Sequence, residues 1–274
     1  MDGLLVWTCI YIYAASSILL LTGFVFNREK LLWIATWALL PAFASHTAIF
    51  IIRWARTGYF PANGDLENAI TGGWFAIAFT LALFAKTKKP VGAALFTVPA
   101  TLILLGYGMV NEPNPLPLSA SFKSSWLIVH VLFAQVAFGS YAITSGYGII
   151  YLLKSRPAAA EKKFYDRFPS LDSLEETMFR FVVYGFICEA IMIPAGAIWA
   201  KDLWGSYWTW DPVETWSLVS WLLYGLVIHL RVTLKWKGRK LAWLMVFLLL
   251  TVIITYWGID ALVQSTRHMF GVTR

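Results

Sequence analysis

The densest group of side chains able to bind a ligand lies at residues 201–224, KDLWGSYWTWDPVETWSLVSWLLY. Five of the chain's 15 tryptophans fall in this stretch: Trp204, Trp208, Trp210, Trp216 and Trp221. Its middle is polar, so it cannot itself be a membrane span. One interpretation is an aromatic belt, which marks the water interface of many membrane proteins. A belt places few rings at each helix end, however, so this density favours a platform for a large flat ligand.

The same stretch predicts the start of a helix. In the sequence Asp211-Pro212-Val213-Glu214, an acid stands at the N-cap, a proline at the first helical position and a glutamate at the third. Capping the next helix is a complete structural role for Asp211 and Glu214. The pattern alone therefore assigns neither residue to catalysis.

The chain has four histidines, His46, His130, His229 and His268. An imidazole can hold iron or relay protons, and it is costly to place in lipid. The alternative for any single histidine is a residue at the membrane interface that is hydrogen-bonded to a carbonyl. The choice between these roles depends on the elements that position the four side chains.

The composition predicts an integral membrane protein. Of 274 residues, 59% are hydrophobic and only 14% are charged, against about 25% charged in soluble domains. The net charge of +7 is explained by where the basic residues lie, so no nucleic-acid partner is expected. Cys9 and Cys188 stand in apolar runs without a CxxC motif, which disfavours thiol redox chemistry and a cysteine metal site.

Apolar runs near the length of about twenty residues that crosses a bilayer predict an all-α fold with about eight transmembrane helices. No soluble domain fits, because the longest polar interval is 154–176. Residues 1–274 are thus expected to form a single polytopic membrane domain. The N-terminus lacks a basic signal-peptide region, so the first run should remain as a span. The predicted spans are 4–26, 31–52, 70–85, 91–110, 124–153, 177–200, 212–234 and 241–258.

The basic residues predict the orientation. With these spans, six of the 22 lysines and arginines fall on one side, and the other sixteen fall on the opposite, cytoplasmic side. Both termini and the tryptophan-rich loop are therefore predicted to be extracytoplasmic. The six extracytoplasmic residues are Arg53, Arg56, Lys123, Lys201, Arg267 and Arg274.

This topology separates the histidines. His130, near the outer end of the fifth span, and His268, after the eighth, flank the tryptophan loop on one face, as axial ligands of a flat metallated macrocycle would. His229 stands 17 residues beyond Pro212, about 26 Å down a helix and near the cytoplasmic side. His46 lies at another depth, so we expect the two not to share one ligand. An imidazole opposite His229 would come from another subunit.

At this point the residues match a known family. WGSYWTWDPVETW resembles the WWD signature of the haem-handling proteins of cytochrome c biogenesis, and the length and layout resemble the CcsA (ResC) family of the System II cytochrome c synthase. Three other segments resemble those in which the family carries its histidines: SSWLIVHVLFAQVAFGSYA with His130, HLRVTLKWKGRKLAW with His229 and QSTRHMFG with His268. Residues 46–69, HTAIFIIRWARTGYFPANGDLENA, also resemble a loop of the family, although Leu66 stands beside Glu67 where the family usually has an aromatic residue.

The resemblance implies a function and a set of partners. Haem b would be the transported substrate, passing from a membrane site with His229 to an external site between His130 and His268. There its vinyl groups would meet the thiols of a CxxCH segment in apocytochrome c, which makes the chain a subunit of a haem lyase. A CcsB (ResB)-like membrane subunit is the implied partner, in a bacterial cytoplasmic membrane or a thylakoid membrane. The haem-contacting residues of the loop would be Trp204, Trp208, Trp210 and Asp211.

Other interpretations stay open. A haem exporter or chaperone of the CcmC kind carries the same signature, but such proteins are shorter and have fewer spans. A regulatory relative of the HemX kind has about this length, but a less complete tryptophan signature is expected there. A non-haem transporter with interfacial tryptophans and proton-relaying histidines would bind no haem. The candidate cations for the haem propionates are Lys201, Arg53, Arg56 and Arg267.

Overall fold

The computed structural model describes residues 2–61, 64–87, 91–111, 124–157 and 163–255. Within these ranges the chain forms eight α-helices, one short 3-10 helix and no strand. Seven of the helices are long and apolar enough to cross a membrane. The helices are α1 (Asp2–Val25), α2 (Glu29–Thr57), α3 (Asp65–Thr87), α4 (Val91–Asn111), α5 (Ser125–Lys154), α6 (Leu171–Trp204), α7 (Pro212–Val232) and α8 (Arg239–Ile253).

The predicted helical membrane fold is confirmed, and several helices run longer than the apolar runs that predicted them, whereas α7 ends two residues before its predicted span. The third helix, predicted as a short span of 70–85, has 23 residues and begins at Asp65. The sixth, predicted as 177–200, has 34 residues because Ser170 caps it and accepts a hydrogen bond from Ser173 N at 3.2 Å. The eighth predicted span ends at 258, outside the described residues.

The fifth helix is the centre of the bundle. It is apolar on every side, which is typical of a buried helix, and it packs against α3, α4, α6 and α8. Fifteen consecutive residues, 134–148, are almost all buried. Proline interrupts three helices, at Pro41 in α2, Pro99 in α4 and Pro194 in α6.

The helix connections segregate to the two ends of the bundle. At one end, Arg167 before α6 donates to Asn27 after α1 at 2.6 Å, and Arg239 of α8 donates to the Leu152 carbonyl of α5 at 3.1 Å. The other end gathers the connections α2–α3 and α6–α7 with the first turns of α5. This division agrees with the alternation of the predicted spans. Which end faces the cytoplasm stays a prediction from the charges.

Candidate functional site

A cavity of about 250 Å³ opens at the end of the bundle that carries the tryptophan-rich loop. Its walls come from the start of α3, the ends of α4, α5 and α6 on this side of the bundle, the loop and the first turns of α7. The lining includes Asp65, Asn68, Tyr107, His130, Gln135, Met192, Gly196, Trp199, Tyr207, Trp208, Glu214, Ser217 and Thr255. The cavity thus combines aromatic and aliphatic walls with about as much polar surface, and small-molecule sites likewise use polar groups to orient a ligand.

His130 is the imidazole of this cavity. Its Nδ1 lies 3.0 Å from the backbone carbonyl of Met192 on α6. A carbonyl oxygen can only accept, so Nδ1 carries the proton and the ring lone pair is on Nε2. Iron-ligating histidines commonly donate their other ring nitrogen to a carbonyl in this way, which fixes both the tautomer and the orientation of the ring.

The close approach of His130 to α6 depends on Gly196. A Cβ atom built at this position would lie 2.5 Å from Nδ1 of His130 and 2.8 Å from its Cε1. Any side chain at 196 would therefore push the imidazole away from the Met192 carbonyl. Nothing in the sequence indicates this role, because a single glycine in an apolar helix can have many structural reasons.

The tryptophan loop is held by its own hydrogen bonds. Gly205 ends α6 in the left-handed conformation, at φ +81°, which glycine adopts without steric cost. Lys201 Nζ then donates to the Gly205 carbonyl at 2.8 Å, and Ser206 Oγ donates to the Trp208 carbonyl at 2.9 Å. Glu214 closes the loop by accepting from Thr209 N at 2.8 Å. The rings are therefore presented on a short, defined backbone.

The predicted helix start is confirmed. Asp211 is the N-cap of α7 and accepts from Val213 N at 2.9 Å, Pro212 occupies the first turn, and Glu214 completes a capping box. Asp211 is buried. Both carboxylates thus have the structural role that their spacing predicted.

The three loop tryptophans named above do not share one surface. Trp208 lines the cavity, beside Tyr207. Trp204 packs instead against Trp199, with ring centroids 5.6 Å apart, and against the small cluster of Leu127 and Val131. Trp210 is 70% exposed, has a φ of +59° and meets Trp208 edge-on at 5.8 Å.

Trp199 is the cavity-lining aromatic residue that the pattern of the loop missed. It is buried and belongs to α6, five residues before this helix ends at Trp204. The structure thus builds the aromatic wall from Trp199, Tyr207 and Trp208. His268 lies outside the described residues. Thr255, the last described residue, lines the cavity.

His229 is far from this cavity, near the C-terminal end of α7. Its side chain is exposed, and Nδ1 lies 3.3 Å from Thr233 Oγ1. Leu226 and Val232 on the same helix are also exposed, at 45% and 51%. His229 therefore faces outward from the bundle, towards lipid or another subunit.

The residues around His229 are fixed by a partly buried ion pair. Arg231 Nη1 lies 2.8 Å from Glu175 Oε1 on α6. The other carboxylate oxygen of Glu175 accepts from Gly238 N at 2.7 Å, which holds the turn between α7 and α8. The last turn of α7, with His229, is thus tied to α6.

His46 has a different environment and no access to either site. It is fully buried, and its Nε2 lies 2.9 Å from the Ile70 carbonyl, so this nitrogen carries the proton. The Tyr13 hydroxyl donates to Nδ1 at 3.1 Å. Both ring nitrogens are engaged inside the protein, which is the arrangement of a structural histidine.

Replacing His46 by alanine should lower stability without affecting the loading of haem that the family resemblance implies. The change opens a buried cavity and removes the partner of Tyr13 and Ile70, at a cost of about 2–5 kcal/mol. His229→Ala should leave stability nearly unchanged, because the side chain is exposed. It should instead lower the haem loading that the resemblance implies. Thermal unfolding and haem per milligram of monodisperse protein measure the two effects. Equal loss of haem in both variants would contradict this assignment.

Arg53 and Glu67 form a buried ion pair behind the cavity wall. Arg53 is 3% exposed and Glu67 1% exposed, and Arg53 Nε donates to Glu67 Oε1 at 2.9 Å, with Nη2 also contacting this oxygen. Arg53 is therefore not available to bind a haem propionate, although the sequence had suggested it, because its guanidinium is buried against Glu67. Nearby, burial and the carboxylate of Glu67 raise the pKa of Tyr59 despite the opposing effect of Arg53.

The sequence is similar to known proteins over most of its length. The family model described as "Cytochrome C assembly protein" matches residues 11–266. Among curated relatives, "Cytochrome c biogenesis protein CcsA" of Guillardia theta is 28% identical over 91% of this chain and 89% of its own length. The protein of the same name from Chlamydomonas reinhardtii is 29% identical over 81% of this chain and 64% of its own length. The one from Parasynechococcus marenigrum (strain WH8102) is 28% identical over 82% of each.

A solved structure has the same fold. "Cytochrome c Heme Lyase CcmF" superposes with a TM-score of 0.70 over 93% of this chain, at 16% sequence identity. This chain corresponds to 46% of that longer protein. At this identity the likeness concerns the fold. The family match, in contrast, extends over nearly the whole sequence, and this multi-pass membrane chain belongs to the cytochrome c assembly protein family, with a role in cytochrome c biogenesis.

Proposed function

We propose that this chain is the haem-handling subunit of a System II cytochrome c synthase. Haem b is its substrate, loaded near His229 and presented at the outer cavity with His130 and His268 as axial ligands. The observation that carries the proposal is the His130 imidazole, whose lone pair is fixed on Nε2 by the Met192 carbonyl inside an aromatic cavity. Relatives named CcsA support it.

The cavity would enclose only part of the substrate. Its volume of about 250 Å³ is below the about 300–1,000 Å³ typical of small-molecule sites. Trp208 and Tyr207 would contact one edge of the macrocycle. The opposite edge, with the vinyl groups, would remain open to apocytochrome c, and His268 would supply the second iron ligand.

The role of the protein in the reaction is positioning. In each thioether bond, a cysteine S–H adds across a vinyl C=C, with sulfur bonding to one carbon and hydrogen to the other. The macrocycle supplies this reactivity, while holding the reactants in place contributes several kcal/mol. Lys201, which lies 5.5 Å over the Tyr207 ring, is the candidate cation for a propionate. Release requires the histidine of CxxCH to replace one axial ligand.

The outward-facing His229 implies that the loading site is shared. A second axial imidazole would come from the CcsB (ResB)-like membrane subunit, packed against the exposed face of α7. In the orientation predicted from the basic residues, both termini and the loop would lie outside the cytoplasm. The membrane would be the bacterial cytoplasmic membrane or the thylakoid membrane.

The test is the visible spectrum of the detergent-purified chain, produced alone and with the partner subunit, followed by co-production of a CxxCH apocytochrome. A haem absorbance band together with covalent haem in the cytochrome supports the proposal. Bound haem that is released without attachment would instead indicate a chaperone of the CcmC kind. If neither preparation contains haem, the proposal is wrong and a non-haem transporter is favoured.

Gly196→Ala should lower cytochrome c maturation by about 10- to 100-fold, the usual effect of disturbing the group that orients a metal-ligating histidine. The new methyl group would displace His130 from Met192. Gly106→Ala is the matched control, because a Cβ atom there meets no described atom within 4 Å. The axial-ligand bands of bound haem should change in the first variant only. Unchanged bands in Gly196→Ala would contradict the positioning role.

Trp208→Ala should reduce maturation more than Asp211→Asn. Alanine removes an aromatic wall of the cavity, whereas asparagine caps a helix nearly as well as aspartate. Haem content and cytochrome c yield in membranes measure both variants. An inactive asparagine variant beside an active Trp208→Ala protein would show that Asp211 has a chemical role beyond the cap.

A further inference from the structure

Four carboxyl groups are buried within the described part of the chain: Glu67, Glu175, Glu189 and Asp211. Glu67 faces Arg53, and Glu175 faces Arg231. Asp211 accepts a backbone N–H at the start of a helix. Glu189 differs from all three, because no described cation or backbone N–H donates to it. An isolated buried carboxylate is far more costly than a neutral carboxylic acid.

Glu189 lies near the middle of α6 and is 5% exposed. The Tyr141 hydroxyl of α5 donates to its Oε2 at 2.7 Å. Tyr141 reaches this position because residue 185 is glycine: a Cβ atom there would lie 2.3 Å from the Tyr141 ring. Tyr224 of α7 then stacks on Tyr141, with ring centroids 3.5 Å apart and planes at 5°. Three helices thus enclose one carboxyl group.

Two further hydroxyl groups, both on α7, lie beside Glu189. Ser220 and Tyr224 of α7 are 1% and 0% exposed, and neither hydroxyl has a hydrogen-bond partner among the described residues. Ser220 nevertheless lies close to hydrogen-bonding reach of the Glu189 carboxyl group, just outside good geometry, and Tyr224 is near enough to interact with its charge. Buried hydroxyls are rarely left without a partner, and a water molecule with two to four polar neighbours is the usual solution.

The cluster lies directly below the outer cavity. Met192, one helical turn from Glu189, and Ser217, one turn from Ser220, both line that cavity. The cavity wall is therefore one helical turn from Glu189 on α6 and from Ser220 on α7. The titratable groups that face Glu189 are Tyr141 from α5 and Tyr224 from α7, and both are neutral phenols near pH 7.

We propose that Glu189, Tyr141, Ser220 and Tyr224 form a proton-binding site. Glu189 is a neutral carboxylic acid whose carbonyl oxygen accepts from Tyr141 and whose O–H is bridged by water to Ser220 and Tyr224. Its proton exchanges with water of the outer cavity. Ionisable groups within a membrane commonly mark such proton sites. The site depends on the described geometry alone and not on the proposed handling of haem.

Infrared difference spectra of the full-length chain in lipid nanodiscs test the site. The unaltered protein minus Glu189→Gln should show a carboxylic acid C=O band above amide I, which moves to lower wavenumber in D2O. Glu176→Gln is the matched control, because Glu176 on the same helix is 51% exposed and lies 3.0 Å from Arg180. It should remove carboxylate bands only. Carboxylate bands in place of the acid band for Glu189→Gln would overturn the proposal, as would an acid band unaffected by D2O.

A second variant keeps the test decisive if Glu189→Gln does not fold. Tyr141→Phe removes only the hydroxyl that donates to Glu189. The acid band should persist and move to higher wavenumber, because its C=O loses a donor. Ser220→Ala should shift the same band through the bridging water. A band unmoved in both variants would show that Glu189 is not the acid of this cluster.

Discussion

His130→Gly is expected to insert into the membrane at the level of the unaltered chain and to mature no cytochrome c. The side chain spans no part of the bilayer, but it is the imidazole of the outer cavity and its lone pair is fixed by the Met192 carbonyl. His268→Gly should give the same loss if the two residues hold opposite faces of the iron. Haem-stained cytochrome c and the amount of membrane-inserted chain measure the two quantities.

Added imidazole should partly restore maturation in the His130→Gly variant. The substitution leaves a space beside the Met192 carbonyl, where the N–H of free imidazole can donate while its other nitrogen binds iron. His229→Gly should also respond, with less haem loaded before the addition. Trp208→Gly is the control, because imidazole cannot replace the indole face. Rescue of all three variants alike would mean that imidazole acts elsewhere, and no rescue of His130→Gly would argue against axial ligation.

Glu67→Ala is expected to destabilise the fold by about 3–5 kcal/mol, the usual effect of removing one partner from a buried ion pair. The variant leaves the Arg53 guanidinium, 3% exposed, without its carboxylate. Because native stabilities are about 5–15 kcal/mol, much of the protein should fail to accumulate. Denaturation in mixed micelles and the yield of monodisperse protein measure this loss.

The controls separate burial from charge. Glu176→Ala breaks an exposed pair on α6 and should cost at most about 0.5 kcal/mol. Arg53→Met with Glu67→Leu removes both charges and should recover most of the stability lost in Glu67→Ala. If the double variant is as unstable as the single one, the loss comes from packing. The pair also matters for the site, since Asp65 and Asn68, beside Glu67 in the first turn of α3, line the cavity.

The fold was largely predictable because a bilayer imposes length and apolarity on each span. The ends of the helices were less predictable. For example, α6 begins six residues before the predicted start of its span at 177, because its polar first turn is also helical. The capping box of α7 was predictable because it is local, with all its contacts inside four residues. Local rules thus sufficed where the partners are near in sequence.

The site was predictable only in part, for a geometrical reason. The sequence gives the height of a residue along its helix, so His130 was expected at the outer end and His46 apart from His229. It does not give the direction in which a side chain leaves a loop. Trp208 therefore enters the cavity while Trp210 points away from it, and Trp199 enters from the neighbouring helix. The contacts of Gly196 with His130 and of Arg53 with Glu67 likewise depend on how separate helices are rotated.

Pro194 has a mechanical consequence for the outer cavity. A proline inside a helix removes one backbone hydrogen bond, and bending concentrates where it stands. In α6 this softest point lies between Met192 and Gly196, the two residues against which the His130 ring rests. The long segment before Pro194 is anchored by Glu175 at the opposite end of the bundle. Any bending of α6 at Pro194 would therefore move residues 195–204, including Trp199, relative to the anchored segment before it.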